Sequence, residues 1–479
     1  MNLQPSSVWE HFESLSRIPR CSGNESRVGD FVVETARELG LESRRDACGN
    51  VVVRKQASEG VSAPPIVLQA HLDMVCEKLP RHGHDFGTDP IVPLTDGDWV
   101  RAQGTTLGAD NGIGLAMALA ILESTSLRHP PLELLATVEE EVGLKGAAAL
   151  SDDFVHGRSL INLDAEDENE ILVGCAGGVE ITAQRDIACL PDMMLDGIPV
   201  RVVMEGLRGG HSGIDIHTGR GNAVSLLAAS LIDLAGTHPE LLVAELVGGT
   251  KSNAIPRDAH AVVLVRDRAD LDAWADGRTA WWRKALQSRD DGIAVRIEPA
   301  DRGTLVFSSA STHRLLQFVA GFPHGVWAVD PDLGNMVETS ANLAVVEALR
   351  GNLRVLVSLR SSVPHALEHA AARVEALTRL IGLEPTRTNE YPPWPRAADS
   401  PLLSAASETF ARVHGKTPVI ATVHAGLECG ILSQKLPGLD AISIGPTIVN
   451  PHSPDERVHI GSVQRSFAFL VALLARLSL

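Results

Sequence analysis

The sequence predicts an α/β fold interrupted by an inserted α+β domain, on three observations. Helical and strand-like patterns alternate over residues 1–186; over residues 187–386 the strands lengthen and come in pairs; after the proline-rich turn Tyr391-Pro-Pro-Trp-Pro395 the alternation returns. Alternation of this kind places helices on the faces of a sheet, whereas paired strands with intervening helices mark a separate α+β layer.

In the first segment the apolar spacing predicts helices over Val8–Ile18 and Ser26–Leu39, then strands over Asn50–Arg54 and Ile66–Ala70. A helix over Ile113–Glu123, a strand over Leu132–Val138, a helix over Gly143–Leu150 and a strand over Ser159–Asp164 follow. The insertion reads as strands Ile198–Glu205, His260–Arg266, Ile293–Pro299 and Asn352–Arg360, interleaved with helices Asn222–Ala235, Asp270–Ser288 and Pro364–Ile381. The last segment, residues 387–479, reads as a helix over Ser404–His414, a strand over Val419–Val423, a short helix near Gly426–Ser433, a strand over Ala441–Ile444 and a helical tail from Ser462.

Composition narrows the function. The 479 residues carry 42 Lys plus Arg against 60 Asp plus Glu, a net charge of −18 with no basic cluster, which argues against nucleic acid or an anionic membrane as partner. No apolar run is long enough to span a bilayer, and the first residues lack a basic start followed by an apolar stretch, so the expected location is the cytoplasm. The six cysteines are scattered without a CxxC pair and are expected to be free thiols. A serine nucleophile is not expected, since no Gly-x-Ser-x-Gly stands at a strand-to-helix turn.

The chemistry-bearing residues form a series of metal-ligand types: His71, Asp110, Glu140 with Glu141, Asp164 and His452. Two imidazoles and three carboxylates suit a pair of zinc-like ions, whose N and O ligands lie at roughly 2.0–2.2 Å. His71 and Asp73 close a strand and, two apart, point to one side, so that Asp73 can orient the ring. Asp110 sits among glycines ahead of a helical run, where an ordinary helix cap is the plainer reading; the glycines permit a positive φ or a close backbone approach to a ligand, which a cap does not need. Glu139-Glu140-Glu141 ends a buried-looking strand, one glutamate fitted to bind metal and a neighbour to act as base. Asp164 ends another strand, and His452 lies in a loop bracketed by prolines. Within the insertion, Gly209-Gly-His211-Ser-Gly213 presents a histidine able to donate to an oxyanion, and Asn253 and Arg360 are further polar candidates, Arg360 suited to a substrate carboxylate.

Several stretches in this order resemble the M20 metallopeptidases, the peptidase T and carboxypeptidase G2-like group, and within it the aminoacyl-histidine dipeptidase branch. They are Gln69-Ala-His-Leu-Asp-Met-Val75, Leu107-Gly-Ala-Asp-Asn-Gly-Ile-Gly114, Glu140-Glu-Val-Gly143, Asn162-Leu-Asp-Ala-Glu-Asp167, Gly174-Cys-Ala-Gly-Gly178, Gly209-Gly-His-Ser-Gly213, Asn253-Ala-Ile-Pro256, His424-Ala-Gly-Leu-Glu-Cys-Gly430 and Pro451-His-Ser-Pro-Asp-Glu456. The resemblance implies a mixed-sheet α/β zinc-peptidase catalytic domain in two parts, residues 1–186 and 387–479, with residues 187–386 as an inserted α+β lid. It implies two Zn2+ per subunit, with Co2+ or Mn2+ as alternatives: Asp110 bridging, His71 and Asp164 completing one position, Glu141 and His452 the other. Asp73 would orient His71, Glu140 would be the general base for a metal-activated water, and the peptide between Asp110 and Asn111 would be cis. His211 would serve the site of a neighbouring subunit in a homodimer, while His424 and Glu428 would position substrate. The implied substrates are unblocked dipeptides, Xaa-His (carnosine-like) ones included; the alternative is an amidohydrolase of the same group acting on N-acyl amino acids.

Overall fold

The strand Ile66–His71 is buried at every position, the mark of a strand covered on both faces. It lies inside an eight-stranded sheet with the order Glu42–Arg45, Val51–Lys55, Leu132–Thr137, Ile66–His71, Ser159–Asn162, Asp440–Ser443, Glu170–Cys175, Val419–Val423 among the described residues. Leu132–Thr137, Ile66–His71, Ser159–Asn162 and Asp440–Ser443 run parallel to one another, while the outer pairings with Val51–Lys55 and Glu170–Cys175 are antiparallel. The carboxyl ends of the parallel strands therefore open on one edge, where open α/β sheets gather their functional loops.

The helix Ala109–Glu123, rich in Ala, Leu and Ile, is buried almost all round. It packs on Ile66–His71 and on the N-terminal helix Ser6–Ser16. Gly114 is required by that packing: a Cβ there would stand 2.4 Å from the carbonyl of Leu163.

The structure is a computed structural model that describes residues 1–192, 195–334 and 336–479. Two units divide it: Met1–Cys175 with Trp394–Thr422 and Leu427–Leu479, and Ala176–Pro393 with Val423–Gly426. Within the first unit, Asp440–Ser443 from the end of the chain pairs with Ser159–Asn162. The second unit begins at Ala176 rather than at residue 187, because Gly177–Asp186 is a strand of its sheet, with Val179, Ile181 and Ala183 buried on alternate positions. At its other end Glu384–Tyr391 pairs with that strand, which carries the unit past residue 386.

That second sheet is antiparallel and nine-stranded among the described residues, in the order Ala294–Pro299, Ile198–Glu205, Ala259–Val265, Leu242–Gly248, Met336–Leu349, Asn352–Ser361, Gly177–Asp186, Glu384–Tyr391, with Gly325–Asp330 paired to Met336–Leu349. Val200, Val202 and Met204 alternate inward along one strand and join a core with the helices Ala223–Thr237, Leu271–Leu286, Ser309–Gly321 and Pro364–Leu380. Ala223–Thr237 begins where the Asn222 side chain accepts from the amides of Val224 and Ser225, a cap that satisfies otherwise orphaned N–H groups.

One sequence expectation is corrected here. Cys21 and Cys76 form a disulfide, leaving Cys48, Cys175, Cys189 and Cys429 as free thiols. A parallel bridge between Cys21 and Met74 brings the two loops together, and the Cα atoms lie 5.7 Å apart. Such proximity is tertiary, and no local spacing rule exposes it. No helix is long and apolar enough to cross a membrane among the described residues.

Candidate metal centre

Register brings the ligand types together. His71 closes its strand opposite Thr137, and Gln69 stands opposite Asn162, so Glu139 to Glu141 and Asp164 begin the loops at the same sheet edge. Asp110 reaches that edge from a break in its helix: its φ and ψ of −79° and 111° are non-helical, and the Asp110–Asn111 peptide is cis, as the resemblance implies. It caps no helix. Its Oδ1 lies 3.0 Å from His71 Nε2 and its Oδ2 lies 3.0 Å from His452 Nε2, so one carboxylate stands between two imidazoles.

Each imidazole meets a further carboxylate. Asp164 Oδ1 is 3.4 Å from His71 Nε2, and Glu141 Oε2 is 3.1 Å from His452 Nε2. Donor atoms of His71, Asp110 and Glu141 all lie within 4.8 Å of one another. On the opposite side of the His71 ring, Nδ1 is 3.4 Å from Asp73 Oδ1 and 3.1 Å from the Asp73 carbonyl; these acceptors place the ring proton on Nδ1 and leave Nε2 as the donor atom towards Asp110 and Asp164. Asp73 also accepts from Ser22 Oγ at 2.8 Å and from the amides of Glu140 at 3.0 Å and Glu141 at 3.2 Å. The same carboxylate thus orients the ring and the paired glutamates.

The electrostatics show a group short of positive charge. Burial drives Glu140 well above the ordinary carboxylate range against the pull of His71, and Asp164, Glu141 and Glu428 push it further. Burial likewise raises Asp164 to about 6 and Glu428 to about 7. The imidazoles answer in the opposite sense: burial disfavours their charged forms, yet Asp110 and Glu141 push His452 up to about 11, and Asp164, Asp110 and Asp73 raise His71. Among the described residues Glu141 Oε1 is buried with no hydrogen-bond partner, and Asp164 Oδ1 has only the 3.4 Å approach of His71 Nε2, a costly state unless a cation takes those oxygens. The donor set, imidazole nitrogen and carboxylate oxygen, suits a borderline divalent ion such as zinc. The residues fit such an ion.

Glu428 lies in this unit, 1% exposed at the start of the helix Glu428–Lys435. Its Oε2 accepts from Gln69 Nε2 at 2.5 Å and Thr137 Oγ1 at 2.6 Å, which seats it beneath the strand ends. The remaining candidates lie in the second unit. Arg360, 9% exposed, donates Nη1 to Tyr391 Oη at 2.7 Å, while its Nε is buried without a partner among the described residues. His424 Nε2 is 2.7 Å from Ser340 Oγ, and burial, with the charges of Arg360 and His211, holds His424 down at about 3. His211 Nδ1 accepts the amides of Gly213 and Ile214 at 3.2 and 3.0 Å, which makes Nε2 the protonated nitrogen, a donor. Gly213 is where they converge: a Cβ there would meet the His424 carbonyl at 2.2 Å and Arg360 Nε and His211 Cε1 at 3.2 Å. Asn253 is exposed, and its carbonyl accepts from the amide of Ser212 at 2.7 Å.

The sequence reading missed four residues that hydrogen-bond to the loops carrying these ligand types. They are Arg20, Ser22, Glu25, whose Oε1 accepts the amides of Gly23 and Glu139 at 3.0 Å, and Glu456. Only Glu456 stood in a quoted motif; the others lie in a loop without periodicity, and their partners are largely backbone atoms distant in sequence.

A two-part fold with a carboxylate bridging two imidazoles at the sheet edge defines a metallopeptidase of the M20 class. The chain belongs to peptidase family M20/M25/M40, whose model matches residues 67–476. It is 38% identical over 98% of its length to the cytosol non-specific dipeptidase of Escherichia coli K12, covering 98% of that protein. Among solved structures it is similar to the aminoacylhistidine dipeptidase from Vibrio alginolyticus, with a TM-score of 0.86, 37% identity, and 99% and 97% of the two chains covered. The fold alone is shared with aminopeptidase PepT from Bacillus cereus, at a TM-score of 0.57 and 14% identity with both chains fully covered.

Proposed function

We propose that this chain is a cytoplasmic metallo-dipeptidase that hydrolyses unblocked dipeptides, Xaa-His substrates among them, at a two-ion centre. The observation that carries the reading is the Asp110 carboxylate with His71 at one oxygen and His452 at the other, each at 3.0 Å. Asp110 would bridge, His71 and Asp164 would complete one position, and Glu141 and His452 the other. Two divalent ions, zinc or in its place cobalt or manganese, would lower the pKa of the attacking water and polarise the scissile carbonyl.

The chain's own residues do the rest. Glu140, whose burial favours the protonated form, takes the proton of the attacking water on its carboxylate and returns it to the leaving amine nitrogen. Asp73 keeps the His71 ring in one tautomer and holds the amides of Glu140 and Glu141. In the second unit, read as a lid, the buried guanidinium of Arg360 is the group for a substrate carboxylate, with His424 beside it. His211 is assigned to the oxyanion as a donor through Nε2, supplied across a homodimer, and Asn253 and Glu428 are assigned to substrate positioning.

The test is release of free histidine from β-Ala-His and Gly-His by the purified protein, before and after chelation and after zinc is restored. Metal-dependent release from either peptide is the expected result. Hydrolysis of N-acetyl amino acids with no release from any free dipeptide would replace this reading with an acyl-amino-acid hydrolase.

A further inference from the structure

Arg20 is a buried arginine, 2% exposed, in the loop that follows the N-terminal helix, and it lies outside the residues matched by the family model. Its Nη1 donates to the carbonyls of Leu72 at 3.0 Å and Asp73 at 2.8 Å, and its Nη2 to the carbonyl of Gly108. One side chain thereby ties the strand end that carries His71 to the turn that leads into Asp110. The glycines of that turn are spaced around it: a Cβ on Gly108 or Gly112 would stand 2.7 or 2.5 Å from Arg20 Nη2.

Glu456 does the complementary task from the loop of His452. It is 2% exposed. Its Oε2 accepts the amides of Leu107 at 2.7 Å and Gly108 at 2.9 Å, and its Oε1 accepts those of Ala109 at 2.7 Å and Asp110 at 3.3 Å. The segment Leu107–Asp110 is therefore gripped by a cation at its carbonyl and by an anion along four successive amides. Charge-assisted bonds of this kind are about twice as strong as neutral ones. The charges also suit each other: burial lowers the pKa of Arg20, and the nearby carboxylates Glu456, Asp73, Asp110 and Glu141 oppose that loss.

We propose that Arg20 and Glu456 are positioning residues of the metal centre. They fix Asp110 between the His71 loop and the His452 loop, so that the protein, not the ions, sets the spacing of the two positions. The inference rests on the two-ion reading of that centre, and its test separates the two ideas.

Full-length Arg20→Lys, Arg20→Met and Glu456→Gln proteins would be compared with wild type. Near-UV circular dichroism of the metal-free forms reports folding. Cobalt titration, read by the visible d–d band and by competition with a chelating dye, reports the centre, and kcat and KM on Gly-His report turnover. The expected result is metal-free variants that keep the wild-type circular dichroism, bind cobalt about 10–100-fold more weakly with an altered band, and lose kcat while KM holds. Arg20→Lys, which retains the charge but not the forked donors, should recover part of the loss and Arg20→Met none. Folded variants with wild-type cobalt affinity and an unchanged band would overturn the proposal. So would collapse of the metal-free fold in both Arg20→Met and Glu456→Gln, which would make the pair purely structural. A wild-type protein that binds no cobalt would instead remove the two-ion reading on which the proposal stands.

Discussion

The two units treat buried charge in opposite ways. In the first, Asp73, Asp110, Glu140, Glu141 and Asp164 crowd around two imidazoles, and the rings hold protons far more tightly than usual. In the second, a guanidinium whose Nε has no partner among the described residues lies near an imidazole kept neutral down to about 3. A folded chain does not gain stability from like charges gathered out of water. The carboxylate excess of the first unit therefore points to a metal cation, and the buried guanidinium of the second is the group proposed above for a substrate carboxylate.

The sharpest way to break this comparison is at Glu140. Glu140→Gln keeps shape and removes the base, so kcat on Gly-His should fall about 10²–10⁴-fold, while zinc content measured by plasma emission stays at the wild-type level. A variant that loses its zinc along with its activity would make Glu140 a ligand instead. The corresponding test in the second unit is Arg360→Met. Removing a charged hydrogen-bond donor from a carboxylate costs about 1.5–3 kcal/mol, so kcat/KM for Gly-His should fall about 10–150-fold, with a much smaller change for the C-terminal amide of the same dipeptide. Equal losses on both substrates would mean that Arg360 does not read the carboxylate.

Smaller effects sharpen the picture of the second unit. Gly213→Ala places a methyl against the His424 carbonyl, and overpacking of this kind costs about 1–3 kcal/mol, to be read from urea unfolding of the metal-free protein. His424 gives a pH signature. Its folded pKa, about 3, lies below an unfolded value of about 6.5, so the unfolded chain takes up more protons below pH 6.5. The contribution is fully present above pH 6.5 and is lost as pH falls towards 3, at a slope of up to about 1.4 kcal/mol per pH unit. His424→Gln should flatten that slope in urea midpoints recorded between pH 6.5 and pH 5, and an unchanged slope would assign the acid sensitivity elsewhere.

Much of the first unit was legible in the sequence because its chemistry sits at strand ends. His71, Glu140, Glu141 and Asp164 each follow an apolar run, and parallel register carries them to one edge. Asp110 was legible from its glycines: Gly108 takes the positive φ that was read there, and Gly108 and Gly112 also make room for Arg20, which no pattern announced. Arg20 and Glu456 act mainly on backbone atoms of other loops, and such partners leave no side-chain signature. The same limit hid the Cys21–Cys76 disulfide. Gly177–Asp186 did show alternation, in Val179, Ile181 and Ala183, but its neighbours in the sheet come from residues 352–361 and 384–391, and only that pairing assigns it to the second unit. For Glu428 the motif gave the residue and not its setting, since its bonds to Gln69 and Thr137 depend on strands far earlier in the chain.

The most direct measurement is the number of divalent ions per chain, by plasma emission on zinc-loaded and desalted protein, for wild type and for Asp110→Asn. An Asp110 that bridges two positions predicts two ions in the wild type and fewer than one in the variant, together with loss of Gly-His hydrolysis. A variant that retained both ions and its activity would contradict the account.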